Sequence, residues 1–356
     1  VTAARSAGGA RSLETILTRA WLRRGPLAVA LWPVSLLFRL LAGLRAALFR
    51  AGILSSVRLP VPVVVVGNIF IGGTGKTPLT IWLVGQLRAA GWRPGVISRG
   101  HGGGQGSGDE PRAVLPGSSA REVGDEPLLI AARAGCPVVV GRNRVAAGRR
   151  LLALYPDVDV LVADDGLQHY ALRRDVEVLL FDGRGVGNGW TLPAGPLREP
   201  PSRRRDVTVV NTPDLSPALA RAVGGQPFQM TLVGDHAERL GDPGERVPLA
   251  AFAGRRVLAS AGIGNPGRFF AMLRGVGLAV EELPLPDHHD FLDDPFRAVT
   301  ADVILVTEKD AVKCRQLENI NNDPRVWVVP VAARIDPALA GRIAQILEKC
   351  RGRPTA

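Results

Sequence analysis

The chain alternates short apolar runs, suited to buried strands, with longer stretches of helical periodicity. Val63–Val66 is an unbroken β-branched run that predicts a buried parallel strand, and the pattern from Leu79 to Ala90 predicts a helix after it. Val158–Ala163, Val176–Phe181 and Val207–Val210 predict further strands. After Gly224-Gly225 the pattern restarts, with strands expected over Pro227–Val233, Arg256–Ala261, Asp302–Thr307 and Arg325–Val331. Helices are expected at Arg268–Leu273 and Pro337–Cys350. This alternation implies an α/β fold: a parallel sheet with helices on both faces, its ligands at strand C-termini, and a smaller C-terminal α/β lobe. The expected divisions are residues 1–58, 59–225 and 226–356.

The first sixty residues read differently. Ser12–Arg24 predicts a short helix stopped at Gly25-Pro26. From Leu27 to Arg50 the chain is apolar apart from three arginines, with Leu37, Leu41, Leu44 and Leu48 on one helical face. Ser35, Arg39, Ala46 and Arg50 fall roughly opposite. The longest charge-free run, Gly25–Phe38, contains two prolines and is shorter than the ~18 residues usually needed to span a bilayer. An amphipathic membrane helix lying in the headgroup region is expected; the alternative is a helix packed on the protein's own core.

Charge sharpens that reading. The chain carries 44 basic and 33 acidic residues, a net +11, and residues 1–60 hold nine of the arginines against the single acid Glu14. Interleaved with Trp21, Trp32, Phe38 and Phe49, these arginines point to anionic lipid rather than nucleic acid. With only 5% aromatic residues the rest of the chain offers few stacking platforms, so no nucleic-acid partner is expected. Apolar and charged fractions of 46% and 22% exclude wholesale disorder. Cys136, Cys314 and Cys350 lack metal-like spacing and suit a reducing cytosol, and no secretory leader is read. The only lysines are Lys76, Lys309, Lys313 and Lys349.

Lys76 stands in Gly72-Gly73-Thr74-Gly75-Lys76-Thr77, between the predicted strand and helix. Strand, glycine loop, Gly-Lys-Thr and helix form a phosphate cradle: backbone N–H groups face phosphates, Lys76 reaches β/γ oxygens, and Thr77 can hold Mg²⁺. The first glycine of the usual pattern is replaced by Phe70. Asp164-Asp165 end the Val158–Ala163 run, where P-loop enzymes hold nucleotide-bound Mg²⁺; a capping role at a strand end is the alternative.

The chain resembles the tetraacyldisaccharide 4'-kinase family, which phosphorylates the acylated disaccharide precursor of lipid A. Besides the glycine loop with Gly67-Asn68, the resemblance rests on Ser98–Gly103, Gly124-Asp125-Glu126-Pro127, Asp164–His169, Pro193–Pro200, Asp287–Phe291 and Thr307–Lys313, in family order. His101 stands where the family usually has Tyr, and a second Gly-Asp-Glu-Pro at 108–111 is not the motif. The resemblance implies ATP and Mg²⁺ as cofactors, Asp125 as catalytic base with His288 as partner, and Lys76 in the transfer. Gly72, Gly73, Thr74, Gly75, Lys76 and Thr77 are the expected nucleotide contacts, and Thr77, Asp164, Asp165 and Glu199 the expected metal set. Asn68, Arg99, Glu126, Arg144, Gln168, His169, Arg198 and Lys309 are the expected substrate contacts. It further implies a glycolipid substrate, a monomer, and a place on the cytoplasmic face of the inner membrane, peripheral or monotopic. On the residues alone, Asp125 also reads as an N-cap, and Gly262–Gly264 as a structural turn or a lining of the cleft between lobes. A regulatory P-loop ATPase is the rival reading; it would carry lysine where this chain has Ile71.

Overall fold

The computed structural model describes residues 20–100 and 110–350. Most of the expected Ser12–Arg24 helix, and His101, lie outside the described residues. Helix α1 (Pro26–Arg50) is continuous: Pro26 occupies its first turn, where no N–H partner is needed, and Pro33 sits inside without ending it. Leu37, Leu40, Leu41 and Leu44 are exposed, while Ala28 and Ser35 are buried against the body of the protein. By length and composition α1 is apolar enough to cross a membrane.

The first lobe begins with β1 (Val63–Gly67), every residue of which is buried. Helix α2 (Lys76–Ala89) returns over the sheet and buries Leu79, Leu83, Val84 and Leu87. Then come β2 (Pro94–Ser98), β3 (Arg112–Ala113), the single-turn α3 (Ala120–Val123), α4 (Asp125–Ala134) and β4 (Val138–Val140). Helix α5 (Arg144–Leu154), β5 (Val160–Asp164), β6 (Val176–Asp182), β7 (Val207–Asn211), α6 (Pro217–Val223) and β8 (Phe228–Val233) complete the run. Strands β8-β7-β6-β1-β5-β2-β4 are mutually parallel, and β3 lies antiparallel on the β4 edge. Apolar cores cover both faces of this sheet, as all-parallel strands require.

The second lobe is built on β9 (His236–Arg239), β10 (Arg246–Pro248), β11 (Val257–Ala261), α7 (Pro266–Gly275), β12 (Val280–Pro284), β13 (Val303–Thr307), α8 (Glu308–Cys314), α9 (Glu318–Asn321) and β14 (Val326–Val329). Its sheet runs β10-β9-β14-β13-β11-β12, with β14, β13, β11 and β12 parallel. The chain then returns: β15 (Ala332–Ile335) pairs antiparallel with β8, and α10 (Ala338–Glu348) buries Leu339, Ile343 and Leu347 in the first-lobe core.

This corrects the expected boundary at 225/226. Gly224-Gly225, both at positive φ, is a tight connection between α6 and β8 within one sheet, not a linker. The lobe change falls after Val233, and residues 332–348 belong to the first lobe.

Candidate active site

The phosphate loop is braced by side chains sent from neighbouring strand ends. Gly75, at φ 98, turns the chain into α2, so Lys76 is the first helical residue. A Cβ on Gly75 would lie 2.6 Å from Asn211 Nδ2, so glycine is required on steric as well as conformational grounds. That Asn211 amide donates to the Thr74 carbonyl at 2.9 Å. Asn68, expected to touch substrate, is fully buried and donates instead to Thr74 Oγ1 at 2.9 Å and the Gly72 carbonyl at 3.3 Å. Phe70 is tolerated at the usual glycine position because its ring packs into the core under the Arg184 guanidinium, 4.2 Å from the ring centroid. The sharp turns fall to Gly72 and Gly75.

Beside the loop, Asp165 Oδ1 lies 3.6 Å from both Lys76 Nζ and an Arg198 nitrogen, joining two expected site residues. Asp165 takes a left-handed backbone, φ 49, at the end of β5. Buried Asp164 accepts hydroxyl hydrogen bonds from Thr80 at 3.1 Å and Ser98 at 3.3 Å. Burial, with Glu126 and Asp165 adding to it, pushes the Asp164 carboxyl up to about 7 against the pull of Lys76 and the Thr80 bond.

Glu199 is enclosed. It accepts from Gln168 Nε2 at 2.9 Å, the Tyr170 hydroxyl at 2.6 Å and Arg203 at 3.2 Å, so it orients Gln168 rather than offering open oxygens. Arg144 is buried and donates to the carbonyls of Gly141 at 2.6 Å and Asp164 at 3.4 Å. Half-buried His169 is held neutral at pH 7: burial first, then Arg144 and Arg99, lower it to about 4.

A second cluster lies where the lobes meet, on the facing helices α4 and α8. Asp125 is the first residue of α4 and not its cap; Gly124 occupies that position. Its Oδ1 accepts from the Glu126 N–H at 2.9 Å, and its Oδ2 lies 3.0 Å from His288 Nδ1. His288, at φ 62, comes from the second lobe. Lys309 donates to Glu126 at 3.2 Å and Asp287 at 3.2 Å, and approaches His288 Nε2 at 3.5 Å. A cavity of ≈ 310 Å³ opens beside Asp125 and His288, lined also by Arg121, Leu292 and Leu317.

The rest of the expected Glu308–Asp310 surface divides. Lys309 faces the cleft, whereas Glu308 and Asp310 are buried. Glu308 accepts from Arg133 and from the Val331 N–H at 2.8 Å; Asp310 accepts from the Gly262 N–H at 2.9 Å and the Thr307 hydroxyl at 2.7 Å. Asp310 thereby fixes the Gly262–Gly264 loop, which lines the cleft: a Cβ on Gly264 would lie 2.9 Å from the Gly73 nitrogen. Residues that the pattern did not single out also shape the site. Asn211 ends β7, and Asp182 ends β6, where it pairs with Arg184 at 2.7 Å and Arg268 at 3.2 Å. A polar residue closing an apolar strand was the available signal.

A parallel sheet, a strand–glycine loop–helix unit at its centre and acids at the adjacent strand end define a P-loop nucleotide-binding enzyme with a second lobe closing on the loop. Residues 27–348 match the family model described as tetraacyldisaccharide-1-P 4'-kinase, and the chain belongs to that family, the lipid A biosynthesis kinases. It is similar to the tetraacyldisaccharide 4'-kinase of Janthinobacterium sp. (strain Marseille), 60% identical over 97% of this chain and 98% of that protein. The enzyme of the same description from Azoarcus sp. (strain BH72) is 49% identical over 94% of this chain and 96% of its own. Among solved structures, LpxK from Aquifex aeolicus in complex with ATP superposes with a TM-score of 0.73 at 29% identity, covering 90% of this chain and 99% of that one.

Proposed function

We propose that this chain transfers the γ-phosphate of ATP to the 4'-hydroxyl of a tetraacylated glucosamine disaccharide 1-phosphate, at the membrane surface. The observation that carries the reading is the Asp125–His288 pair, held across the lobes beside a cavity. Phosphoryl transfer asks the protein for positioning and charge stabilisation more than for covalent chemistry. Residues 72–77 cradle the phosphates and Lys76 moves from Asp165 to their oxygens. Asp125 accepts the acceptor hydroxyl proton, with His288 sharing it through the Nδ1–Oδ2 contact. Arg198, Lys309 and Arg99 supply positive charge around the transferred group and the substrate phosphate.

The donor set near the loop suits Mg²⁺: the Thr77 hydroxyl with Asp164 and Asp165 carboxylates is a hard oxygen set. Burial first, then the Glu126 and Asp165 carboxylates, raise Asp164, and a cation bound there would favour its ionised form. Bound there, Mg²⁺ would neutralise charge on the β- and γ-phosphates. Glu199, enclosed by three donors, would orient Gln168 rather than ligate the cation.

Membrane contact is supported by the way α1 docks. Ser35 Oγ donates to the Thr191 carbonyl at 2.7 Å, Trp32 lies 6.1 Å from Trp190, and Phe49 lies 5.8 Å from Tyr170. A helix held side-on along this length presents its leucines outward as a strip, which suits lying in the headgroup layer. The orientation expected is towards the cytoplasmic leaflet of the inner membrane, where ATP is available.

The test is incubation with ATP, Mg²⁺ and a detergent-solubilised acylated disaccharide 1-phosphate. Phosphate appearing on the 4'-oxygen supports the reading; nucleotide hydrolysis without transfer would move the chain to the regulatory ATPases.

A further inference from the structure

Lys313 is the last residue of the Thr307–Lys313 segment and one turn beyond Lys309 on α8, on the same face. Its side chain is 11% exposed and lines the cavity, but its Nζ is buried and has no hydrogen-bond partner. Three groups surround that ammonium. Asp125 Oδ2 lies 3.6 Å away, Asp310 Oδ1 lies 3.8 Å away, and the Phe291 ring centroid lies 5.6 Å from it. The place is built at some cost in backbone conformation. Phe291, fully buried, has φ 61, and its N–H donates to His289 Nδ1 at 3.1 Å. His288 and Phe291, both left-handed, thus deliver an imidazole to Asp125 and an aromatic face to Lys313 from one short loop.

An ion pair that leaves its ammonium without a hydrogen bond is a poor way to stabilise a fold, because desolvation opposes the attraction. We propose that Lys313 is a positioning residue for the Asp125 carboxylate. His288 and Lys313 both address Oδ2 while the Glu126 N–H addresses Oδ1. The carboxylate is therefore fixed in plane and kept ionised, and its remaining lone pairs are those an acceptor hydroxyl meets. Asp310, anchored to Gly262, keeps the ammonium from moving wholly onto Asp125. Cation–π contact with Phe291 partly replaces the solvation that burial removes.

This inference rests on Asp125 being the base, and the experiment separates the two. Single-turnover transfer and the KM for ATP are measured for Lys313→Met, Asp125→Asn, the double variant and Lys313→Arg. Lys313→Met lowers transfer at least tenfold with the KM for ATP within about twofold, and Lys313→Arg recovers part of the loss. In the Asp125→Asn background, adding Lys313→Met changes transfer less than twofold, because the lysine acts through that carboxylate. An unaltered rate in Lys313→Met, or an equal factor lost in both backgrounds, overturns the positioning role. A wild-type rate in Asp125→Asn alone overturns the base reading. If Lys313→Met does not fold, Lys313→Gln is carried through the same comparison.

Discussion

Burial raises the Asp125 carboxyl, but the His288 hydrogen bond and the charges of Lys309, His288 and Lys313 more than reverse this and hold it at about 2. The same hydrogen bond raises the His288 imidazole against the opposing effect of its burial. A carboxylate so acidic is a weak base by itself, which is why the pair, and not Asp125 alone, suits the proton transfer. Asp125→Asn is expected to lower kcat by roughly 10²–10⁴ with little change in ATP affinity, as steady-state kinetics would show. A variant defective only in ATP binding would remove Asp125 from the base role. The pair also leaves a mark on stability. Asp125, depressed, contributes stability present above its unfolded value near ~3.9 and lost as pH falls towards its folded one. His288, raised, contributes below its unfolded value near ~6.5 and loses this as pH climbs through its higher folded value. The melting-temperature deficit of His288→Ala should therefore be largest near about pH 5 and shrink above about pH 8. A deficit independent of pH would show that the ring contributes packing alone.

At the scale of elements, α1 shows how far local pattern reaches. Its leucine strip was legible from spacing, yet the partners that hold it, Thr191, Trp190 and Tyr170, stand more than a hundred residues away in sequence. Leu37 and Leu41 are 56% and 57% exposed, so replacing both by glutamate should leave the melting temperature nearly unchanged. Partitioning onto anionic vesicles should fall by roughly 10² or more, since each buried leucine is worth about 1.5–3 kcal/mol and the new charges repel anionic lipid. Co-sedimentation measures it, and unchanged partitioning would exclude the strip as the contact. The unit β1–loop–α2 was equally legible, because β-branched run, glycines and helical period adjoin one another. Strands β2, β4, β9, β10 and β12 were not. They run three to five residues, too short for periodicity to mark; β4 is an apolar run of only three valines, and β12 is largely exposed. Asn68 and Arg144 were expected at the substrate because the family resemblance implies it. Both are buried: Asn68 braces the phosphate loop, and Arg144 donates to the backbone carbonyls of Gly141 and Asp164.

At the scale of the whole molecule, the lobes are joined by contacts that no local pattern announces. Arg133, on the last turn of α4, donates to both oxygens of Glu238 on β9, at 3.2 and 2.8 Å, and to Glu308 at the start of α8. Asp125 and Arg133 stand on one short helix, so whatever fixes Arg133 also fixes the carboxylate that faces the cleft. Both glutamates are buried, and only part of their company survives if the guanidinium is removed: Arg246 at 3.1 Å and His236 at 3.6 Å from Glu238, and the Val331 N–H on Glu308. Breaking a buried pair from one side leaves uncompensated charge and typically costs about 3–5 kcal/mol. Arg133→Met, which keeps much of the stem's volume, should therefore lower stability on that order in denaturant unfolding at pH 8. Burial already raises the Glu308 carboxyl against the pull of Arg133, and without that pull it rises further. A carboxyl whose folded value lies above its unfolded ~4.3 binds more protons when folded, so stability falls as pH climbs between the two values. The deficit of Arg133→Met should accordingly be smaller at about pH 5 than at about pH 8, with kcat reduced alongside it because α4 is less firmly held. A deficit below about 1 kcal/mol at both pH values would show that the lobes are held by the packing of α4 on α8, with the ion pairs incidental.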